Sequence, residues 1–143
     1  MKVHISDYTV EWAHCDAARV VYYPHFYSWF DQGTERLFKA NGLSYAVLQD
    51  KFEIFGMPLL ETGSTYKSTS KLGDELVLHS WVEGWSGKTF LVRHKIMHTD
   101  GTEAVVGFEK RCMVIKAADS RNGIRAIATP EEIIRLITNE GSE

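Results

Sequence analysis

Asp16 stands in the stretch HCDAARVVYYPHFYSWFD, ahead of a proline and a run of aromatic residues with helical spacing. Its carboxylate has an ordinary use in a turn, where aspartate bonds nearby backbone N–H groups. It also has a chemical use. Pro24 suits the first position of a helix, because its missing N–H costs nothing there. The start of a helix carries unsatisfied N–H groups and the positive end of the helix dipole. A carbonyl oxygen docked there would have its developing negative charge stabilised. A carboxylate beside it could attack the carbonyl carbon or direct a water onto it. Acid plus helix N-terminus is a kit for acyl transfer, and it competes with the turn reading of Asp16.

Other chemistries fit the same stretch less well. His14, Cys15, Asp16 and His25 are metal-ligand types, but adjacent residues rarely converge on one ion and the spacing matches no zinc pattern. No metal and no separate cofactor are expected. Cys15 paired with His25 or His94 lacks the positive neighbours that favour a thiolate. Cys15 and Cys112 lie far apart, and MKVHISDYTVEW alternates instead of forming a secretory leader. Both thiols are therefore read as reduced, in a cytoplasmic protein. Net charge is −3 with both signs interspersed, so no nucleic-acid partner is expected. No apolar run approaches the ~20 residues of a membrane span.

The elements that must position Asp16 follow from periodicity. At 143 residues the chain predicts one domain, residues 1–143, large enough to bury a core without disulfides or metals. Phe26, Trp29, Phe30, Gly33, Leu37 and Ala40 recur at three- and four-residue steps, which predicts a helix over 24–41 stopped by Asn41-Gly42. Alternation predicts a first strand over 3–12, and 44–52 reads as a short second helix. From residue 57 the character becomes β, with strands near 57–69, 75–84, 88–99 and 103–116. Gly73-Asp74, Ser86-Gly87 and Asp100-Gly101 supply the turns. Thr129-Pro130-Glu131-Glu132 reads as a capping box opening a terminal helix through Ile137. Consecutive strands with tight turns form an antiparallel sheet, and only that sheet can bury so broad a helix face. The fold class is α+β.

DAARVVYYPHFYSWFD closely resembles the active-site segment of the 4-hydroxybenzoyl-CoA thioesterase family, whose pattern runs D-x-x-G-[IV]-V-[WY]-[YH]-x-x-[YF] into a helix. The likeness continues through GMPLLETGSTYKSTSKLGDELVLHSWVEGWSGKTFLVRHKI and the closing RAIATPEEI. It implies the hot-dog fold, an antiparallel sheet wrapped around a long central helix, and hydrolysis of an acyl-CoA thioester, with CoA part of the substrate. By that resemblance Asp16 is the catalytic nucleophile or general base, and the Tyr23 backbone N–H polarises the thioester carbonyl. Lys88 matches a residue that contacts CoA phosphates, whereas two arginines before it are replaced by Ser86 and Gly87. Asp31 matches an acid that accepts a ring hydroxyl. It also fits a plain helix carboxylate bonded to a strand. Trp29, with Phe26 and Tyr27, suits either an aromatic acyl group or the core.

Arg19 departs from the pattern, standing where the family has glycine. If that position needs positive φ, arginine is disfavoured there. The resemblance also implies a homotetramer built from two dimers, with sites shared between subunits. The expected reaction is hydrolysis of an aromatic acyl-CoA such as benzoyl- or 4-hydroxybenzoyl-CoA. The rivals are a short-chain aliphatic acyl-CoA thioesterase and a non-catalytic acyl-CoA-binding protein on the same fold.

Overall fold

The computed structural model describes residues 1–139. In chain order the elements are β1 (His4–Thr9), a 3-10 turn (Trp12–His14), α1 (Pro24–Ala40), α2 (Tyr45–Phe52), β2 (Leu59–Tyr66), β3 (Glu75–Ser86), β4 (Thr89–His98), β5 (Glu103–Lys116), β6 (Ile124–Ile127) and α3 (Glu131–Thr138). The strands form one antiparallel sheet in the order β1-β3-β4-β5-β2, with β6 added to the far part of β5. This is the α+β hot-dog architecture.

Helix α1 forms where the sequence predicts it. Phe26, Trp29, Phe30, Gly33, Thr34, Leu37 and Phe38 make its buried stripe. Its end is held by Asn41, whose Nδ2 donates to the Leu37 carbonyl at 2.7 Å. The inner sheet face presents Leu76, Leu78 and Val82 from β3, and Phe90, Val92 and Ile96 from β4, all buried. Two positions let α1 sit close to that face. A methyl added at Gly33 would overlap the Ser80 hydroxyl, and one added at Gly107 would lie 2.5 Å from the Phe30 ring. Both glycines are therefore spacing residues in the helix–sheet contact.

The apolar core is split in two. One cluster centres on Leu37, Phe38, Leu48, Phe90, Val92 and Met113, closed by Ile133 and Ile137 of α3. The other gathers Phe26, Trp29, Phe30, Leu76, Leu78, Ile96 and Val105 near the start of α1. Ser80, His94, Glu109 and Arg111 lie buried on the inner sheet face opposite Thr34.

Three expectations need correcting. The first strand stops at Thr9, short of the predicted Trp12, because its partner runs out: Val10 still bonds Asp74 and Gly73, but those residues already belong to the turn closed by Asp74 N–H to Lys71 O. Residues 12–14 coil into the 3-10 turn instead. Strand β6 has no counterpart in the periodicity reading. Its four residues are too short to show alternation, and they become a strand only by pairing Met113–Lys116. The capping box at Thr129 does not form: Pro130 occupies the N-cap without a side-chain bond, and the Thr129 hydroxyl is buried and unpartnered.

Candidate active site

Asp16 sits at the tip of a small ladder that the chain builds just before α1. Its N–H donates to Val20 O at 3.0 Å, and Arg19 N–H returns to Asp16 O at 3.0 Å. Cys15 pairs with Val21, and Tyr22 N–H donates to His14 O at 2.8 Å. The far strand of this ladder is pinned to the segment ahead of β3, through Val21 N–H to Ser70 O (2.9 Å) and Leu72 N–H to Arg19 O (3.0 Å). Main-chain bonds thus fix the loop on two sides, whatever side chains occupy its tip.

Within that loop the Asp16 carboxylate is half engaged. Oδ1 accepts Ala18 N–H at 2.9 Å, the ordinary aspartate turn, while Oδ2 has no hydrogen bond among the described residues. The turn reading accounts for Oδ1, and Oδ2 is left without a partner. The carboxylate is exposed and lines a hollow of about 410 Å³ with Trp12, Cys15, Ala17 and Arg19. Trp12, 72% exposed, was not singled out by the sequence. A lone tryptophan at the end of a strand pattern carries no signal until the chain brings it beside the acid.

Arg19 adopts φ 62°, the left-handed conformation that glycine takes without cost. The turn keeps its shape and arginine bears the strain. For a residue with a Cβ that strain is roughly 1–2 kcal/mol. Arg19→Gly should relieve it, offset by about 0.5–1 kcal/mol of added unfolded-chain entropy. The expected net gain is about 0.5 kcal/mol, measured as a higher urea midpoint. A lower midpoint would mean that the arginine side chain itself holds the loop.

Tyr23 comes next on the same ladder and forms the N-cap of α1. Its N–H donates to nothing among the described residues, while its carbonyl accepts Phe26 N–H at 3.1 Å. Its ring is 57% exposed. Asp16 and Tyr23 thus belong to one short, rigid construction, although Tyr23 does not line the Asp16 hollow. His14 ties the two together: its carbonyl receives Tyr22 N–H, and its Nδ1 accepts Glu11 N–H at 2.9 Å. Nδ1 is therefore the unprotonated nitrogen of that ring.

The remaining sequence candidates are scattered. Trp29 is 3% exposed and stacks among Tyr8, His14 and Phe26, so it supports the ladder from the core side. Asp31 lies two turns along α1, beside a second hollow of about 390 Å³ with Tyr27, Ser28, Leu59, Thr62, Glu109 and Arg111. Its Oδ1 accepts Arg111 Nη2–H at 2.7 Å, so it is a helix carboxylate bonded to a strand and a pocket wall at once. Lys88 occupies the exposed tip of the β3–β4 hairpin. The Asp16 loop is pinned to the segment ahead of the opposite end of β3, so at ~3.3 Å per residue a strand length of up to roughly 35 Å runs between their ends of the sheet.

Behind Asp31 runs a buried polar chain that the sequence reading missed. Arg111 donates to Glu109 Oε2 (2.6 Å) and to the Met57 carbonyl (2.8 Å). Glu109 Oε1 receives His94 Nε2 (2.9 Å) and the Thr34 hydroxyl, and His94 Nδ1 meets the Ser80 hydroxyl (2.8 Å). Phe30 stacks on the His94 ring at 4.8 Å. Burial pushes the His94 ring toward neutrality, against the pull of Glu109. Burial also works against the Glu109 carboxylate, but bonds from His94 and Arg111 and the Arg111 charge outweigh it and hold the group down to about 2. The serine, histidine and glutamate are ordered like a hydrolase triad. With Ser80 fully buried under Gly33, they cannot meet a substrate. The available signal was Glu109 and Arg111 two residues apart on the inward register of β5.

Among the described residues, no group of three or more His, Cys, Asp or Glu side chains converges as a metal site would require, and no helix is long and apolar enough to cross a membrane.

Comparison with known proteins agrees with this geometry. Residues 10–136 match the thioesterase-like superfamily. The 4-hydroxybenzoyl-CoA thioesterase of Pseudomonas sp. strain CBS-3 is 24% identical over 129 residues, covering 89% of this chain and 92% of that protein. Its crystal structure superposes with a TM-score of 0.86 at 23% identity, covering 95% and 99% of the two chains. A 1,4-dihydroxy-2-naphthoyl-CoA thioesterase from Synechocystis gives 0.80 at 16% identity, covering 95% and 96%. A gentisyl-coenzyme A thioesterase gives 0.78 at 23% identity, covering 95% and 100%. With the family match spanning the Asp16 ladder and every strand but β1, the chain belongs to the thioesterase-like superfamily and has its hot-dog fold.

Proposed function

We propose that this thioesterase hydrolyses an aromatic acyl-CoA, of the benzoyl or 4-hydroxybenzoyl type, to the free acid and CoA. The observation that carries the reading is the pairing of a carboxylate oxygen without a partner, Oδ2 of Asp16, with an unsatisfied N–H at Tyr23, on one main-chain ladder. The thioester carbonyl oxygen binds the Tyr23 N–H, which gains strength as charge develops on that oxygen. Asp16 either takes a proton from a water that attacks the carbonyl carbon, or attacks that carbon itself to give an acyl-aspartyl anhydride that water then cleaves; in both, the C–S bond breaks and CoA leaves as the thiolate. Asp31 walls the acyl end and Lys88 takes a CoA phosphate, while Trp29, buried on the core side, holds the ladder in place and does not line that hollow. Three similar proteins are named for hydroxylated aromatic acyl groups, which supports an aromatic substrate here.

The working form in this reading is a homo-oligomer of two dimers. Lys88 and Asp16 of one chain lie toward opposite ends of β3, which supports a site whose CoA grip and acid come from different copies. Strand β2 offers an edge for it: paired only to β5, it leaves Leu59, Leu60 and Tyr66 about half exposed. Unpaired strand edges are templates for another chain.

A panel of benzoyl-, 4-hydroxybenzoyl- and butyryl-CoA tests the substrate class by release of the CoA thiol. Higher kcat/KM on the two aryl esters is expected, by about tenfold or more if an aryl-sized pocket contributes over 1.4 kcal/mol. A preference for butyryl-CoA would replace the aromatic reading with the aliphatic one. Tight binding of all three without thiol release would replace it with a binding protein.

A further inference from the structure

Arg111 has a geometry that its place in the core does not explain. Its side chain is 7% exposed, yet it reaches a carboxylate that is 70% exposed. Two anchors hold the guanidinium from inside: Glu109, through both oxygens (2.6 and 3.4 Å), and the Met57 carbonyl (2.8 Å). Glu109 is itself fixed by His94 and Thr34. The outward Nη2–H then meets Asp31 Oδ1 at 2.7 Å. Asp31 Oδ2 has no hydrogen bond among the described residues, and the group lines the hollow with Tyr27 and Leu59.

We propose that Arg111 is a positioning residue for substrate choice, fixing Asp31 so that its second oxygen reads a hydroxyl group on the acyl portion. This rests on the reading that Asp31 walls the acyl end. An exposed aspartate on a helix samples several rotamers, and a hydrogen bond to a substrate must overcome that freedom. Tying Oδ1 to a guanidinium locked in the core removes the freedom before the substrate arrives, which is preorganisation. The charge balance gives the sign of the selection. Glu109 neutralises Arg111 internally, so Asp31 supplies the surplus negative charge at the hollow. An ionised carboxylate only accepts hydrogen bonds. The site therefore favours acyl groups that donate, such as a phenol, and disfavours acyl groups that carry their own carboxylate.

The test is the ratio of kcat/KM for 4-hydroxybenzoyl-CoA over benzoyl-CoA in the full-length protein. It is measured for wild type, Asp31→Asn, Arg111→Lys and the double variant Glu109→Gln/Arg111→Met. Lysine keeps the positive charge for Glu109 but cannot hold two carboxylates and a carbonyl in one plane. The double variant removes both buried charges together, so a folded protein remains if Arg111→Lys unfolds. Circular dichroism establishes folding before kinetics. The ratio should fall roughly tenfold in Asp31→Asn, the scale of one hydrogen bond to a charged group. Arg111→Lys and the double variant should lose most of the same factor with Asp31 intact. A wild-type ratio in Asp31→Asn would overturn the reading that Asp31 meets the acyl group, and this inference with it. A lowered ratio in Asp31→Asn with a wild-type ratio in the folded Arg111 variants would overturn the Arg111 inference alone.

Discussion

Asp16→Asn lowers kcat for acyl-CoA hydrolysis by roughly 10²–10⁴-fold, the range expected when a positioned acid–base group is removed. The substitution is close to a single-atom change. Asn Oδ1 can still accept Ala18 N–H, so the turn that now uses Oδ1 keeps its bond. The Asp16–Val20 and Arg19–Asp16 main-chain bonds do not involve the side chain. What is lost is the oxygen without a partner, which an amide NH₂ replaces with a group unable to attack a carbonyl or accept a proton from water. The stability change should stay within about 0.5 kcal/mol, as for an exposed site. Stopped-time measurement of CoA thiol release, with a melting curve alongside, separates the two effects. Near-wild-type turnover would remove Asp16 from the mechanism, and a large drop in melting temperature would reassign it to the turn.

Glu109→Gln should cost about 3–5 kcal/mol of stability, the range for leaving one member of a buried ion pair alone. The side chain is 3% exposed, and the Arg111 guanidinium beside it is nearly as buried. Asp31 remains as a partner for Arg111 but is mostly in water, so it screens only part of the loss. Equilibrium urea unfolding reads the change directly. A cost under about 1 kcal/mol would show that water or Asp31 already satisfies the guanidinium.

The same cluster sets the response to acid. Glu109 in the folded protein is held at about 2, below its ordinary 4.5, so the unfolded chain takes up its proton first as pH falls. Its contribution is complete above pH ~4.5 and is lost as pH drops toward 2, on the order of 3 kcal/mol. His94 acts in the same direction at higher pH. Burial lowers its affinity for a proton, so stability begins to decline once the unfolded histidine titrates near pH 6.5. Wild type should therefore lose stability in two stages on acidification, and Glu109→Gln should lose the lower stage.

The site was legible where main-chain geometry follows from local sequence. Pro24 opens α1, the aromatic stripe buries one of its faces, and Asp16 caps its own turn; each depends on residues within a few positions. Arg19 shows the limit of such rules. Its type argues against positive φ, but bonds to Ser70, Lys71 and Leu72 determine the loop and override the preference. Trp12 and Lys88 needed the fold to show their distances from Asp16, one beside it and one at the other end of β3.

The sequence by itself determined the class of fold, the place of the acid ahead of a helix start, and the family. Those are set by hydrophobic period and by short motifs, both local quantities. Only the tertiary structure decided that Asp31 is held by Arg111, that Glu109 and His94 stand behind it, and that Ser80 cannot act as a nucleophile. These five residues come from α1, β3, β4 and β5, separated by as many as 80 positions along the chain. Their pairing is a property of strand register and of the glycines that bring α1 down onto the sheet. No window of sequence contains it.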